Sequence, residues 1–148
     1  MWEEAVLGRE DVANRAEGSK CMKIALLEEH PANRGYIQTL LEMEGHQVFP
    51  YPQGHALFSA LQTLGDRFPY DVLLFDHWLP SSLSGQDVMH HLQREYPSKR
   101  LPFIVVSSLS RQELDRLQAD FPETPIIRKP FKSQQLLEAI QLVAKREE

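Results

Sequence analysis

The chain has 148 residues, the size of one compact domain. Hydrophobic residues make up 42% of it and charged residues 25%, proportions that exclude a disordered chain, a collagen-like chain and a disulfide scaffold. The net charge of −5 argues against nonspecific nucleic-acid binding, which usually shows a basic surplus. Cys21 is the single cysteine, so we expect a cytoplasmic protein without an intrachain disulfide. No apolar run is long enough to predict a membrane span.

Residues 1–21 differ from the rest of the chain and are interpreted as an N-terminal extension. Apolar residues recur there at roughly helical spacing, but Gly8 interrupts the pattern and Gly18 and Ser19 are typical of a linker. Two interpretations stay open: a disordered extension, or a short helix that packs on the domain or on a second copy. The main domain is placed at residues 22–146.

From Lys23 onward, short apolar runs typical of strands alternate with amphipathic stretches typical of helices. In chain order, the pattern predicts a strand at 24–27, a helix from Pro31 to a closing Gly45, a strand at 47–49, a helix at 56–64 closed by Gly65, a strand at 72–75, a helix marked by Val88, Met89 and Leu92, a strand at 103–106, a helix marked by Leu114 and Leu117, a strand at 125–127, and a helix marked by Leu136, Leu137, Ile140 and Val143.

Five strands that alternate with five helices predict an α/β protein, a doubly wound five-stranded parallel sheet with helices on both faces. Right-handed crossovers leave few arrangements, and the order 2-1-3-4-5 is a common one for this number of strands. In such a sheet, function collects at the carboxyl ends of the strands, near the switch point between strands 1 and 3.

Polar side chains follow the predicted strands at this edge. Glu28 and Glu29 follow strand 1, Asp76 follows strand 3, Ser107 follows strand 4 and Lys129 follows strand 5. Three carboxylates in one crevice repel each other, so they need raised pKa values or a bound cation. An all-oxygen set suits Mg²⁺ or Mn²⁺ better than zinc, and the hydroxyl and ammonium groups suit phosphoryl oxygens. The pattern indicates metal-assisted phosphoryl transfer with a carboxylate nucleophile.

These residues resemble the receiver domain of two-component response regulators, over residues 22 to about 146. The resembling segments are residues 24–30, 71–80, 101–108 and the Arg128-Lys129-Pro130-Phe131 tetrapeptide. No single segment is decisive, but their order and separations together are highly specific. The resemblance implies the flavodoxin-like arrangement known as CheY-like.

The resemblance implies that Asp76 is the phosphorylation site. It would attack a phosphohistidine on a sensor histidine kinase or phosphotransfer protein and become an acyl phosphate. Mg²⁺ or Mn²⁺ would be bound by the side chains of Glu29 and Asp76, by Glu28 through water, and by the backbone carbonyl of Trp78.

The resemblance also implies a switch rather than a turnover enzyme. Ser107 would hydrogen-bond a phosphoryl oxygen and move toward it, and Lys129 would pair with the phosphoryl group, directed by a cis Lys129-Pro130 bond. Phosphorylation would bias two states of the face formed by helix 4, strand 5 and helix 5, which would bind an output partner or a second copy. With no DNA-binding segment after Val143, we expect a stand-alone receiver or a fragment of a longer protein.

The chain departs from the family pattern at several positions. Glu28 and Glu29 are each one methylene longer than Asp, so metal affinity is expected to be altered or the ion to sit differently. The loop after the acceptor is one residue longer than usual. Ile126 stands where many members have a switching Tyr or Phe. Trp78 and Leu109 are bulky at positions that often govern water access, so self-dephosphorylation is expected to be slow.

Three other functions are weighed against the phosphorylation switch. A receiver-like interaction module that docks without phosphorylation is favoured by the Glu28 and Glu29 pair. An aspartyl-phosphate hydrolase would usually need a second Asp two residues after the nucleophile, where Trp78 stands. A flavin-binding electron carrier would need a hydroxyl- and glycine-rich loop after strand 1, where the acidic pair would repel the phosphate.

Overall fold

The computed structural model describes residues 21–64, 68–76, 85–96 and 101–146, so the interpretation of residues 1–20 lies outside the described part of the chain. Ten elements alternate along the described residues: β1 (Lys23–Leu27), α1 (Pro31–Met43), β2 (Gln47–Tyr51), α2 (Gly54–Leu64), β3 (Val72–Asp76), α3 (Gly85–Glu95), β4 (Phe103–Ser107), α4 (Arg111–Asp120), β5 (Ile126–Arg128) and α5 (Ser133–Arg146). Among these helices, none is long and apolar enough to cross a membrane.

All five strands lie parallel in one sheet, in the order β2-β1-β3-β4-β5, so the predicted architecture is confirmed. Leu27 at the end of β1 pairs with Phe75 of β3, and Asp76 at the end of β3 pairs with Val106 of β4. Since the strands are parallel, their last residues meet at the same edge. The register therefore brings the residues that follow Leu27 close to Asp76 and to Ser107.

The core lies on both faces of the sheet, because neighbouring residues of each strand point to opposite sides. β3 and β4 are buried at every position, which explains their continuous apolar runs. One face packs against α2, α3 and α4 through Ala25, Leu27, Leu73, Phe75, Phe103 and Val105. The other packs against α1 and α5 through Ile24, Leu26, Val72, Leu74, Ile104 and Val106.

The ends of some elements differ from the predicted ones by one or two residues. β2 continues through Pro50 to Tyr51, because it is an edge strand, where the missing N–H of proline leaves no ladder bond unmade. α2 begins at Gly54 rather than Ala56, since the carbonyl of Gln53 accepts the N–H of Ala56 at 3.1 Å. Gly45 closes α1 as predicted, with a φ of 92° that glycine adopts without strain.

Candidate functional site

Three polar side chains are buried at the carboxyl edge of the sheet. Glu28 is 3% exposed, Asp76 9% and Ser107 0%. Each follows or ends one of the three central strands, β1, β3 and β4. Buried polar groups are costly unless they are paired, so their collection at one edge marks this edge as the candidate site.

Lys129 lies opposite the two buried acids. Its Nζ donates to Oδ2 of Asp76 at 2.7 Å and is 3.9 Å from Oε2 of Glu28. Its backbone N–H donates to the carbonyl of Ser107 at 2.8 Å, which anchors it directly after β5. The Lys129-Pro130 bond is cis, as the family resemblance implied. The structure thus brings Asp76 and Lys129 together as expected, with one ammonium group beside two carboxylates.

The carboxylate of Glu28 is under electrostatic strain. Burial raises its pKa to about 7, and a hydrogen bond with Asp76 and the charge of Asp76 act in the same direction. The N–H of His30, which donates to Oε1 at 3.0 Å, and the charge of Lys129 oppose the rise. The raised pKa of Glu28 therefore follows first from its burial and then from the neighbouring Asp76.

Ser107 ends β4 with a fully buried hydroxyl. Its Oγ accepts the N–H of Leu109 at 3.1 Å, and a hydroxyl that accepts one bond still carries a proton to donate. Of the other positions singled out from the sequence, Glu29 and Ile126 are partly buried. Trp78 lies outside the described residues, so the predicted carbonyl ligand has no description here.

The turn between β1 and α1 contains a contact that the sequence did not reveal. Nη1 of Arg34 donates to the backbone carbonyls of Glu28 at 3.1 Å and Glu29 at 3.2 Å. The N–H of Glu28 donates to the carbonyl of Tyr51 at 3.1 Å. The only sequence signal was a cation in the first turns of α1, where nothing distinguishes a solvated arginine from one that folds back.

The acidic side chains at the carboxyl edge are potential ligands for a divalent cation. Within the described ranges, no three His, Cys, Asp or Glu side chains are grouped so that they could hold a metal ion. Mg²⁺, however, is usually held by one or two carboxylates, with water and phosphate completing its shell. Glu28 and Asp76 lie together in the buried edge and share one lysine. These two acids fit such an ion.

The curated proteins that match the sequence include a sensor kinase and a transcriptional regulator. The chain is 25% identical over 126 residues to the sensor histidine kinase GacS of Pseudomonas protegens, covering 82% of this chain and 13% of the kinase. It is 27% identical over 125 residues to the phosphate regulon transcriptional regulatory protein PhoB of Escherichia coli, covering 84% of this chain and 52% of PhoB. The chain therefore spans about half of PhoB and a small part of GacS.

A solved structure and a family model extend the comparison. The receiver domain of the sensor histidine kinase PA1611 of Pseudomonas aeruginosa, with a magnesium ion coordinated in its active site cleft, superposes with a TM-score of 0.69 at 25% identity, covering 84% of this chain and 98% of that domain. The model of the response regulator receiver domain matches residues 24–141. With the sheet order and the buried acids at its carboxyl edge, this match shows that the chain belongs to the response regulator receiver domain family.

Proposed function

We propose that this chain accepts a phosphoryl group on Asp76 and works as a signalling switch rather than as a turnover enzyme. The observation that carries the proposal is the placement of Asp76, which is buried beside Glu28 and 2.7 Å from Lys129 at the carboxyl edge of a parallel sheet. A nucleophilic carboxylate, a second acid and a fixed ammonium group are the parts that phosphoryl transfer to an aspartate needs.

The step would begin with a phosphohistidine on a sensor histidine kinase or a phosphotransfer protein. An oxygen of Asp76 attacks the phosphorus, a P–O bond forms, the P–N bond breaks, and the leaving imidazole takes up a proton from solvent. Lys129 already binds Oδ2 of Asp76, so it orients the carboxylate and can then pair with a phosphoryl oxygen. The buried hydroxyl of Ser107 is a further donor at this edge.

The proposed ion is Mg²⁺ or Mn²⁺. Its proposed ligands are the side chains of Glu29 and Asp76, the backbone carbonyl of Trp78, and Glu28 through a water molecule. When bound, such an ion neutralises charge on the transferring phosphoryl oxygens. The placement of the Glu28 and Asp76 carboxylates around a single lysine supports an ion held by acids at this edge. The magnesium ion in the PA1611 receiver domain is a second support.

The output of the switch is proposed to be a change at the face formed by α4, β5 and α5. The phosphorylation site is connected to this face by two residues. Lys129 follows β5 directly, and the carbonyl of Ser107 accepts the N–H of Lys129. An output partner or a second copy of the chain would bind there. Slow self-dephosphorylation and a location in the cytoplasm, where Cys21 stays reduced, belong to the same proposal.

The second candidate is an interaction module that docks without phosphorylation. The pKa of Glu28 near 7 favours it, because a proton on Glu28 and the charge of Lys129 balance Asp76 without any ion. In that case the site would be a structural polar cluster, and the α4-β5-α5 face would have a single state.

Treatment with acetyl phosphate and Mg²⁺ separates the two functions. Intact-mass measurement should show the gain of one phosphoryl group in the wild type, none in Asp76→Asn, and an unchanged gain in Asp115→Asn, which alters an exposed acid of α4. If the folded wild-type protein gains no mass under conditions that phosphorylate a known receiver domain, the interaction module is the correct reading.

A further inference from the structure

The turn that carries the acidic pair has few ordinary means of holding its shape. α1 begins with Pro31, its N-cap residue His30 makes no side-chain cap, and no acidic residue stands in its first turn. Such caps normally satisfy the free N–H groups at the beginning of a helix. The turn must therefore be held by other groups.

Two side chains hold it from opposite sides. On the side of the site, the carboxylate of Glu28 accepts the N–H of His30 at 3.0 Å. On the side of α1, a single nitrogen of Arg34 reaches the carbonyls of Glu28 and Glu29, at 3.1 and 3.2 Å. The backbone of Arg34 is fixed in the first turn of α1, because its N–H donates to the carbonyl of His30 at 2.9 Å.

We propose that Arg34 is a positioning residue that fixes the peptide groups of Glu28 and Glu29 and thereby sets the affinity of this site for Mg²⁺. The inference rests on the proposed function, since it assigns a role within that site. Arg34 reaches the backbone of the acids rather than their carboxylates in the contacts described. It acts by limiting rotation of two successive peptide planes, from which both acidic side chains project.

The effect should be measurable because Mg²⁺ demands near-ideal octahedral geometry. Groups that orient metal ligands from outside typically contribute 10- to 100-fold in affinity. Arginine suits the task because its planar guanidinium keeps a fixed direction, whereas a lysine ammonium group is a point charge on a flexible stem. Arg34→Lys therefore keeps the charge and loses the geometry, which separates the two contributions.

The test is calorimetric titration of the full chain with MgCl₂. We expect binding about 10-fold weaker in Arg34→Gln, weakening in Arg34→Lys that recovers only part of the wild-type affinity, and no change in Arg116→Gln. Arg116 is an exposed arginine of α4 and so is a charge-matched control. A second measurement needs no metal: in EDTA, the amide of His30 should exchange with deuterium faster in Arg34→Gln than in Arg116→Gln.

Each outcome decides the question. Wild-type affinity in Arg34→Gln overturns the inference while leaving the proposed function intact, provided that the wild type binds Mg²⁺ and gains a phosphoryl group. If Arg34→Gln does not fold, wild-type affinity in Arg34→Lys overturns it instead. A loss of stability in both variants with unchanged Mg²⁺ affinity shows a merely structural residue. A wild-type protein that binds no Mg²⁺ and takes no phosphate overturns the proposed function, and the inference with it.

Discussion

Polar groups are paired differently at the two ends of β1. At the amino end, donors and acceptors meet one to one: the N–H of Met22 donates to Nδ1 of His46 at 3.2 Å, and the N–H of Lys23 donates to Oδ2 of Asp71 at 2.8 Å. At the carboxyl end, two buried acids lie beside one ammonium group. The first arrangement is complete as it stands, while the second carries surplus charge.

Burial disfavours charge at both ends, and the pKa shifts have opposite signs because the groups have opposite charges. It lowers the pKa of His46, and the neutral ring is the form that can accept the N–H of Met22. It raises the pKa of Glu28, where neighbouring Asp76 acts in the same direction and the charge of Lys129 opposes the rise. The lowered pKa of His46 suits the hydrogen bond that its ring accepts, whereas the raised pKa of Glu28 belongs to a buried acid among other charged groups, as functional sites often contain.

Among the variants that test this comparison, the one that removes the ammonium group of Lys129 should change the free energy of unfolding most. In Lys129→Met at pH 8, Glu28 and Asp76 lose their common partner while they stay buried, and breaking a buried pair typically costs about 3 kcal/mol of unfolding free energy. Urea unfolding in EDTA measures it. Lys132→Met alters an exposed lysine three residues later and should change little. Equal stability of the two variants would show that Lys129 does not hold the acids.

The placement of this cluster was partly readable from the sequence. The apolar run 72–75 has no polar face, so it predicted a strand buried on both sides and fixed Asp76 at its end. The same reasoning placed Ser107 and Lys129. β2 was predicted at 47–49 and extends to Tyr51, and its edge position explains why Pro50 is tolerated within it.

The electrostatics of the cluster could not be read in the same way. Glu28 and Glu29 are chemically identical, and their spacing does not show which carboxylate lies beside Asp76 and Lys129. That choice depends on the backbone of the turn, to which Arg34 contributes through carbonyl contacts that leave no sequence pattern. The raised pKa of Glu28 also depends first on its burial, a property of the packed molecule.

Replacing the strained acid should give an intermediate effect of opposite sign. The folded pKa of Glu28, about 7, lies above its ordinary value of 4.5, so ionised Glu28 opposes folding. This cost is absent below pH 4.5, grows as the pH rises toward 7 and is complete above it. In EDTA, Glu28→Gln should therefore be more stable than the wild type by about 2 kcal/mol at pH 8 and by much less at pH 5.

Chemical unfolding of both proteins across this pH range measures the difference. Glu42→Gln changes an exposed acid of α1 and should follow the wild-type curve. If Glu28→Gln loses stability equally at both pH values, Glu28 is ionised at no cost in the fold, and the contrast between the two ends of β1 disappears.

The smallest effect should come from the amino end. The folded pKa of His46 lies below its ordinary value of 6.5, so the fold favours the neutral ring, and its contribution to stability is lost as the pH falls below 6.5. His46→Gln should cost about 1 kcal/mol at pH 8, the worth of the hydrogen bond from Met22. This cost should shrink as the pH falls below 6.5, because His46 takes up a proton more readily in the unfolded chain than in the fold, which lowers the stability of the wild type.

Both variants should differ more from the wild type at pH 8 than at pH 5, but with opposite sign: Glu28→Gln is expected to be more stable than the wild type and His46→Gln less stable. His55→Gln, at an exposed histidine of α2, controls for the loss of an imidazole. A cost of His46→Gln that stays constant from pH 8 to pH 5 would mean that the ring is not held neutral by the N–H of Met22. The amino end would then lack the one-to-one pairing that distinguishes it from the site.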